Sequence, residues 1–326
     1  MFEKIIPEKL KKGDTIRIIA PSGSLARLDD KNFKIAKQRF EEMGLKVTIS
    51  KNSYNVDEYS SSTIDERIKD LHEAFLDSDV KMVICAIGGY NCIQLIDKID
   101  YSIIKNNPKI IIGYSDNTAL LNAIYTKTGL ETYLGPNFTD FGVKLGFNYT
   151  LNYFKKIAFE NEQIIIEDSN EFSDDQWYIN QDNRKFLPND GRIIVNEGSA
   201  VGKIIAGNLC TLQLLQGTEY MPDLTDSILF LEDDDLVGSA FLFEFDRNLH
   251  SLMLQPGFDK VKAIVIGRIQ LGSKIENDSL KKMLLQKEKI SHIPILINMD
   301  FGHTRPLFTI PIGGECLIEN NIYIKK

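Results

Sequence analysis

The chain has 326 residues and a mass of 37.0 kDa, a length that suggests about two domains. Hydrophobic residues make up 43% and charged residues 26%, which excludes disorder, collagen-like repeats and a disulfide scaffold as overall descriptions. A formal charge of -8 and a pI near 5.2 argue against a general nucleic-acid binder, which needs a basic face to neutralise phosphates. Cys85, Cys92, Cys210 and Cys316 form no C-x-x-C pair and suit a reducing compartment. The N-terminus has no apolar segment of signal-peptide type, and no apolar run approaches the ~20 residues of a membrane span. A cytoplasmic protein without nucleic-acid or membrane partners is expected.

The first predicted strand covers 15–20 (TIRIIA) and ends at Pro21, Ser22 and Gly23. Phe33, Ala36, Phe40 and Met43 then share one helical face, and Gly44 breaks the helix before a strand at 45–49. Thr63 and Glu66 form a capping-box pattern that opens a helix striped by Ile64, Ile68, Leu71 and Phe75. A continuous apolar run at 82–87 leads into Gly88 and Gly89. Another at 110–112 leads into Gly113, Tyr114 and Ser115, with a helix at 117–127 ended by Gly129. Strands alternating with helices predict an α/β fold with a mostly parallel sheet covered on both faces. Residues 168–190 are acidic, polar and poor in aliphatics, reading as a linker or a long surface loop. Strands are predicted at 192–195, 201–205, 228–231, 263–266 and 295–299, and a hairpin at 314–324. The expected division is a domain at 1–165, a linker or substrate loop at 166–190, and a second domain at 191–326.

Ligands in open α/β sheets bind at the carboxyl ends of strands. Paired glycines at Gly88 and Gly89 let backbone N–H groups approach a ligand, or simply make a tight turn. Ser115 sits on a sharp strand-to-helix turn by a helix N-terminus, where an oxyanion is favoured, although Ser115 or Asp116 could equally be an ordinary cap. A nucleophilic serine needs a base and an orienting acid. Of the four histidines, His72 and His250 fall in predicted helices and His292 precedes a strand, while His303 lies in a loop after the strand ILINM. Glu232 ends the strand ILFLE and is followed by Asp233, Asp234 and Asp235. Ser115, Glu232 and His303 are therefore candidate partners on pattern alone.

At these residues the sequence resembles the serine peptidase family of murein LD-carboxypeptidases and microcin C immunity proteins. The matching segments are APSG (20–23), IGGYN (87–91), GYSDNT (113–118), GNLCTL (207–212), ILFLED (228–233), FDRNL (245–249) and DFGHT (300–304). The resemblance implies Ser115 as nucleophile, Glu232 as acid and His303 as base, with the N–H groups of Gly89 and Asp116 as oxyanion hole. It also implies a flavodoxin-like N-terminal domain, a smaller β-rich α/β C-terminal domain with the active site between them, and a homodimer. IGGYN is similar to the immunity-protein branch, whose members stack a nucleobase on a loop aromatic; here this implies an exposed Trp177 as stacking platform, or else a Trp177 that packs the loop onto the body. Tyr90 and Asn208 resemble substrate contacts. Arg305 could meet a substrate carboxylate or phosphate, or point to solvent. The implied reaction is hydrolysis of the amide between an acidic aminoacyl group and a nucleotide, with no metal or organic cofactor. The alternatives are release of the terminal D-alanine from a murein tetrapeptide, or a non-catalytic protein binding a small ligand.

Overall fold

The computed structural model describes residues 3–325. Its strands are β1 (Thr15–Ile19), β2 (Lys46–Ile49), β3 (Val80–Cys85), β4 (Ile110–Gly113), β5 (Thr132–Leu134), β6 (Ile164–Ile166), β7 (Glu171–Phe172) and β8 (Leu187–Pro188). They continue with β9 (Ile193–Asn196), β10 (Ala200–Asn208), β11 (Ser227–Glu232), β12 (Ala263–Gly267), β13 (Ile295–Met299), β14 (Ile310–Ile312), β15 (Glu315–Ile318) and β16 (Ile322–Lys325). One sheet has the order β14-β5-β4-β3-β1-β2, with β5 through β2 parallel and β14 antiparallel on the edge. The larger sheet has the order β6-β16-β15-β10-β11-β12-β13-β9; β10 to β13 are parallel and the flanking strands antiparallel.

The expected α/β class with parallel-strand sheets is what the structure has. The physical reason is legible strand by strand. In β3 only Lys81 is exposed, and β4, β11, β12 and β13 are buried throughout, so their continuous apolar runs are those of strands covered on both faces. The Thr63–Glu66 capping box is present, with both reciprocal bonds at 3.3 Å, and it starts the helix Ile64–Leu76. The run read at 82–87 begins two residues earlier, and Ala86 and Ile87 leave the strand to carry the chain toward Gly88.

The two sheets are locked together by the helix Thr118–Thr128. Asn122 Nδ2 donates to Ala206 O at 3.0 Å, and Asn208 N donates to Thr118 Oγ1 at 3.0 Å. Each sheet also takes an edge strand from the other half of the chain: β14 pairs with β5, and β6 with β16. The polar stretch at 168–190 is a strap fastened to both halves. Ser173 and Arg305 exchange backbone hydrogen bonds of 2.7 and 2.8 Å, and Gln181 Nε2 donates to Asn32 Oδ1 and Gly142 O at 2.7 Å each. No helix among the described residues is long and apolar enough to cross a membrane.

Candidate active site

Loops from the carboxyl ends of both sheets line one cavity of about 750 Å³. β3 leads into Gly88 and Gly89, β4 into Ser115, β11 ends in Glu232 itself, and the chain beyond β13 brings in His303. Ser115 Oγ lies 3.1 Å from His303 Nε2, and His303 Nδ1 lies 2.6 Å from Glu232 Oε2. Ser115 and His303 are 188 positions apart in the chain. The three side chains singled out from separate strand ends therefore form one hydrogen-bonded line.

The local backbone explains the presentation. Ser115 has φ 62°, in the left-handed region, which costs a non-glycine residue about 1–3 kcal/mol and persists only where neighbours hold it. Here Asn117 Nδ2 donates to Tyr114 O at 3.2 Å and to Asn137 Oδ1 at 3.1 Å, and Asn137 Oδ1 also accepts Tyr114 N at 3.3 Å. Gly88 passes directly over the turn: a Cβ there would stand 2.9 Å from Ser115 Cβ and 3.8 Å from Asp116 N. Gly302 has φ 102°, and a Cβ on it would stand 2.8 Å from Glu232 Oε2. The Asp116 carboxylate faces away from Ser115, accepting from Ser22 Oγ and, at 2.9 Å, from Cys92 N. Arg67, which sequence reasoning did not single out, is buried beneath these loops. It donates to Pro21 O and Asn91 O at 3.0 Å each, tying the turn after β1 to the loop after β3.

Electrostatics concentrate on the second-sheet side. Burial disfavours the His303 imidazolium, but the charge and hydrogen bond of Glu232, with Asp234 behind, outweigh it and raise the imidazole to about 9. Burial, then the neighbouring Glu232, pushes Asp233 up to about 7. Burial and adjacent carboxylates likewise raise Asp234, although His303 pulls the other way. Cys210 Sγ and carboxylate oxygens of Asp233 and Asp234 lie within 4.8 Å of one another, the one such grouping among the described residues. Burial, then Asp233, pushes the Cys210 thiol up.

The remaining candidates fall differently from expectation. Tyr90 lines the cavity and is 72% exposed, open to a ligand. Trp177 lines it too but is only 7% exposed. Of the two readings of Trp177, the exposed platform is corrected and the packing one is what the structure has: the strap folds down, held by Gln181 and by an Arg184–Asp175 ion pair of 2.7 Å, and it buries the indole. Its neighbour Tyr178, 55% exposed, is the open aromatic of that segment. Asn208 is 1% exposed and is not among the cavity-lining residues, so the structure does not make it a wall contact. It caps the helix Leu209–Leu212 through Thr211 N and donates to Asp233 Oδ1 at 3.2 Å. Arg305 lines the cavity but neither points to solvent nor stands free. Its Nη2 donates to Tyr114 Oη at 2.8 Å and pairs with Asp140, and its Nη1 donates to His303 O at 3.1 Å. Tyr114 and Asp140 were missed because their role exists only through Arg305, 191 and 165 positions away.

A family model described as the LD-carboxypeptidase N-terminal domain matches residues 16–135, and one described as the LD-carboxypeptidase C-terminal domain matches residues 201–318. The chain belongs to the LD-carboxypeptidase family. Among its relatives, YocD of Bacillus subtilis (strain 168) is 47% identical over 95% of this chain and 95% of its own. The microcin C7 self-immunity protein MccF of Escherichia coli is 33% identical over 97% of this chain and 93% of its own. The crystal structure of an MccF-like protein from Bacillus anthracis str. Ames superposes with a TM-score of 0.97 at 48% identity, covering 99% of both chains. MccF itself has been solved in complex with aspartyl sulfamoyl adenosine, with a TM-score of 0.89 to this chain. This LD-carboxypeptidase family member is thus an enzyme of the serine carboxypeptidase class, and the expected resemblance is what the comparisons find.

Proposed function

We propose that Ser115, His303 and Glu232 are the catalytic triad of an amide hydrolase whose substrate is an aminoacyl or peptidyl nucleotide. The reading is carried by the hydrogen-bonded line of 3.1 and 2.6 Å. With its Nδ1–H donated to Glu232, His303 presents Nε2 to the serine hydroxyl and takes its proton as Oγ attacks the carbonyl carbon. Glu232 stabilises the imidazolium. The proton then passes to the leaving nitrogen, the C–N bond breaks, and water repeats the sequence on the acyl-enzyme. The N–H groups of Gly89 and Asp116 bind the oxyanion, each contributing about 3 kcal/mol. Tyr90 and Tyr178 offer a base open aromatic faces. Trp177, largely covered, packs the strap against the cavity.

A second substrate reading, a murein tetrapeptide losing its terminal D-alanine, is favoured by the family model's own description. Side-by-side assays of a murein tetrapeptide and aspartyl sulfamoyl adenosine separate the two. In both, Ser115→Ala with an intact fold abolishes turnover, and retained turnover ends the serine mechanism. Four free cysteines support a reducing, cytoplasmic setting. The family resemblance supports a homodimer, which sedimentation equilibrium tests.

A further inference from the structure

The two N–H groups assigned above to the oxyanion come from separate segments: Gly89 follows β3, and Asp116 follows the nucleophile beyond β4. Their spacing depends on how those segments are held, and a third segment, the turn after β1, lies against both. Gly23 N donates to Gly88 O at 3.2 Å. A Cβ on Gly89 would stand 2.6 Å from Ser22 Oγ and 3.0 Å from Gly23 N, so the backbone of Gly89 rests directly on that turn.

Two buried side chains of opposite charge grip the turn and the β3 loop at adjoining residues. Arg67 Nη1 donates to the carbonyls of Pro21 and Asn91, at 3.0 Å each. Asp116 Oδ2 accepts from the next residue of each segment, Ser22 Oγ and, at 2.9 Å, Cys92 N. Ser61 Oγ donates to Ser22 O at 2.5 Å and holds the turn from its other side. Burial pushes the Asp116 carboxyl up, but the hydrogen bonds from Ser22 and from the main chain at Cys92 and Asn91, and then the charge of Arg67, favour its ionised form. Asp116 is not a helix cap: the helix Thr118–Thr128 has no side-chain cap at its start, and the carboxylate turns to the other two segments instead.

We propose that the Asp116 carboxylate and Arg67 are positioning residues for the oxyanion hole, which together set the distance between the Gly89 and Asp116 N–H groups. This rests on the amide-hydrolase reading above. Asp116 then acts twice. Its main-chain N–H is one donor, and its side chain, through Ser22 and Cys92, fixes the loop that carries the other. The pair acts on geometry alone, since it grips main-chain groups and one hydroxyl, none of which exchanges a proton in the reaction. A donor displaced by a few tenths of an ångström weakens the hydrogen bond to the charged transition state and leaves ground-state binding nearly as it was.

The test is steady-state kinetics of Asp116→Asn, Ser22→Ala and Arg67→Lys on a murein tetrapeptide and on aspartyl sulfamoyl adenosine, with circular dichroism to confirm the fold. Asp116→Asn should lower kcat by about 10- to 100-fold with KM nearly kept. Ser22→Ala should lower it by about tenfold, and the double variant should be no slower than Asp116→Asn, because both act through one chain of contacts. The His303 limb of the pH profile should stay in place, since the charges that act on His303 are those of Glu232, Asp234 and Arg305. Calorimetric binding of aspartyl sulfamoyl adenosine to Ser115→Ala should not change when Asp116→Asn is added. If Asp116→Asn does not fold, Ser22→Ala, which keeps the carboxylate, decides the matter. A kcat within twofold of the parent, a loss that lies in KM or in calorimetric affinity, or a shifted limb overturns the proposal. Labelling of Ser115 by a fluorophosphonate separates the failures, because the phosphoryl oxygen enters the same hole as fluoride leaves. No labelling of the parent enzyme sinks the hydrolase reading. Labelling of Asp116→Asn at the parent rate, rather than about tenfold or more slowly, sinks only this inference.

Discussion

The two sides of the cavity position their chemistry by different means. On the first-sheet side the backbone does it: a left-handed Ser115, a glycine passing 2.9 Å from its Cβ position, and amide side chains clamping the turn. On the second-sheet side buried charge does it: Glu232 against His303, and Arg305, paired across the groove with Asp140 of the first half, against the His303 carbonyl. A nucleophile needs a fixed direction of approach, which sterics supply. A base needs a tuned proton affinity, which only neighbouring charges supply.

Four measurements break or sharpen that contrast. The largest effect belongs to the proposed triad, where Glu232→Gln should lower kcat by about 10⁴-fold although the fold survives, as checked by steady-state kinetics beside circular dichroism. It should also bring down the pH limb of kcat/KM. As the proposed base, His303 acts only when neutral, and its pKa is raised to about 9. Activity in the intact enzyme therefore rises with pH until about 9 and falls off below, and removing the Glu232 charge moves this limb toward lower pH. Second, Gly88→Ala should cost about 10²-fold in kcat by displacing Ser115, with the His303 limb left where it was. A shifted limb would mean that the two sides are not separate devices. Third, Asp140→Asn leaves Arg305 buried without its counter-charge, so thermal unfolding should report a loss of about 3–5 kcal/mol. Because Arg305 opposes the protonation of His303, the limb should hold or move slightly. The smallest effect is that of Asp234→Asn, which removes one carboxylate facing His303 and should lower the limb by less than about one pH unit.

The parallel strands were legible because burial on both faces leaves an unbroken apolar run, as in IIIG at Ile110–Gly113 and SILFLE at Ser227–Glu232. β5 and β14 were not, because three residues such as TYL or IPI carry no periodicity. They become strands only by finding each other across the chain. The same holds at the site. Ser115, Glu232 and His303 each end or follow a readable strand, so their candidacy followed from position. Arg305 read as a free cation because its counter-ion, Asp140, lies 165 positions away and carries no local signal. Trp177 is ambiguous in the sequence because its neighbours are polar, yet those polar groups are what fasten the strap and cover it.

The traded edge strands bear on how the enzyme could ever be divided. A fragment ending before the strap would lack β14 and leave β5 with a bare margin, and the complementary fragment would lack β6 beside β16. Unpaired margins invite adhesion to other chains. The halves should therefore be sticky when expressed alone and soluble when expressed together. The groove between them is then a product of joint folding rather than of two finished bodies meeting, and a substrate enters a mould already cast.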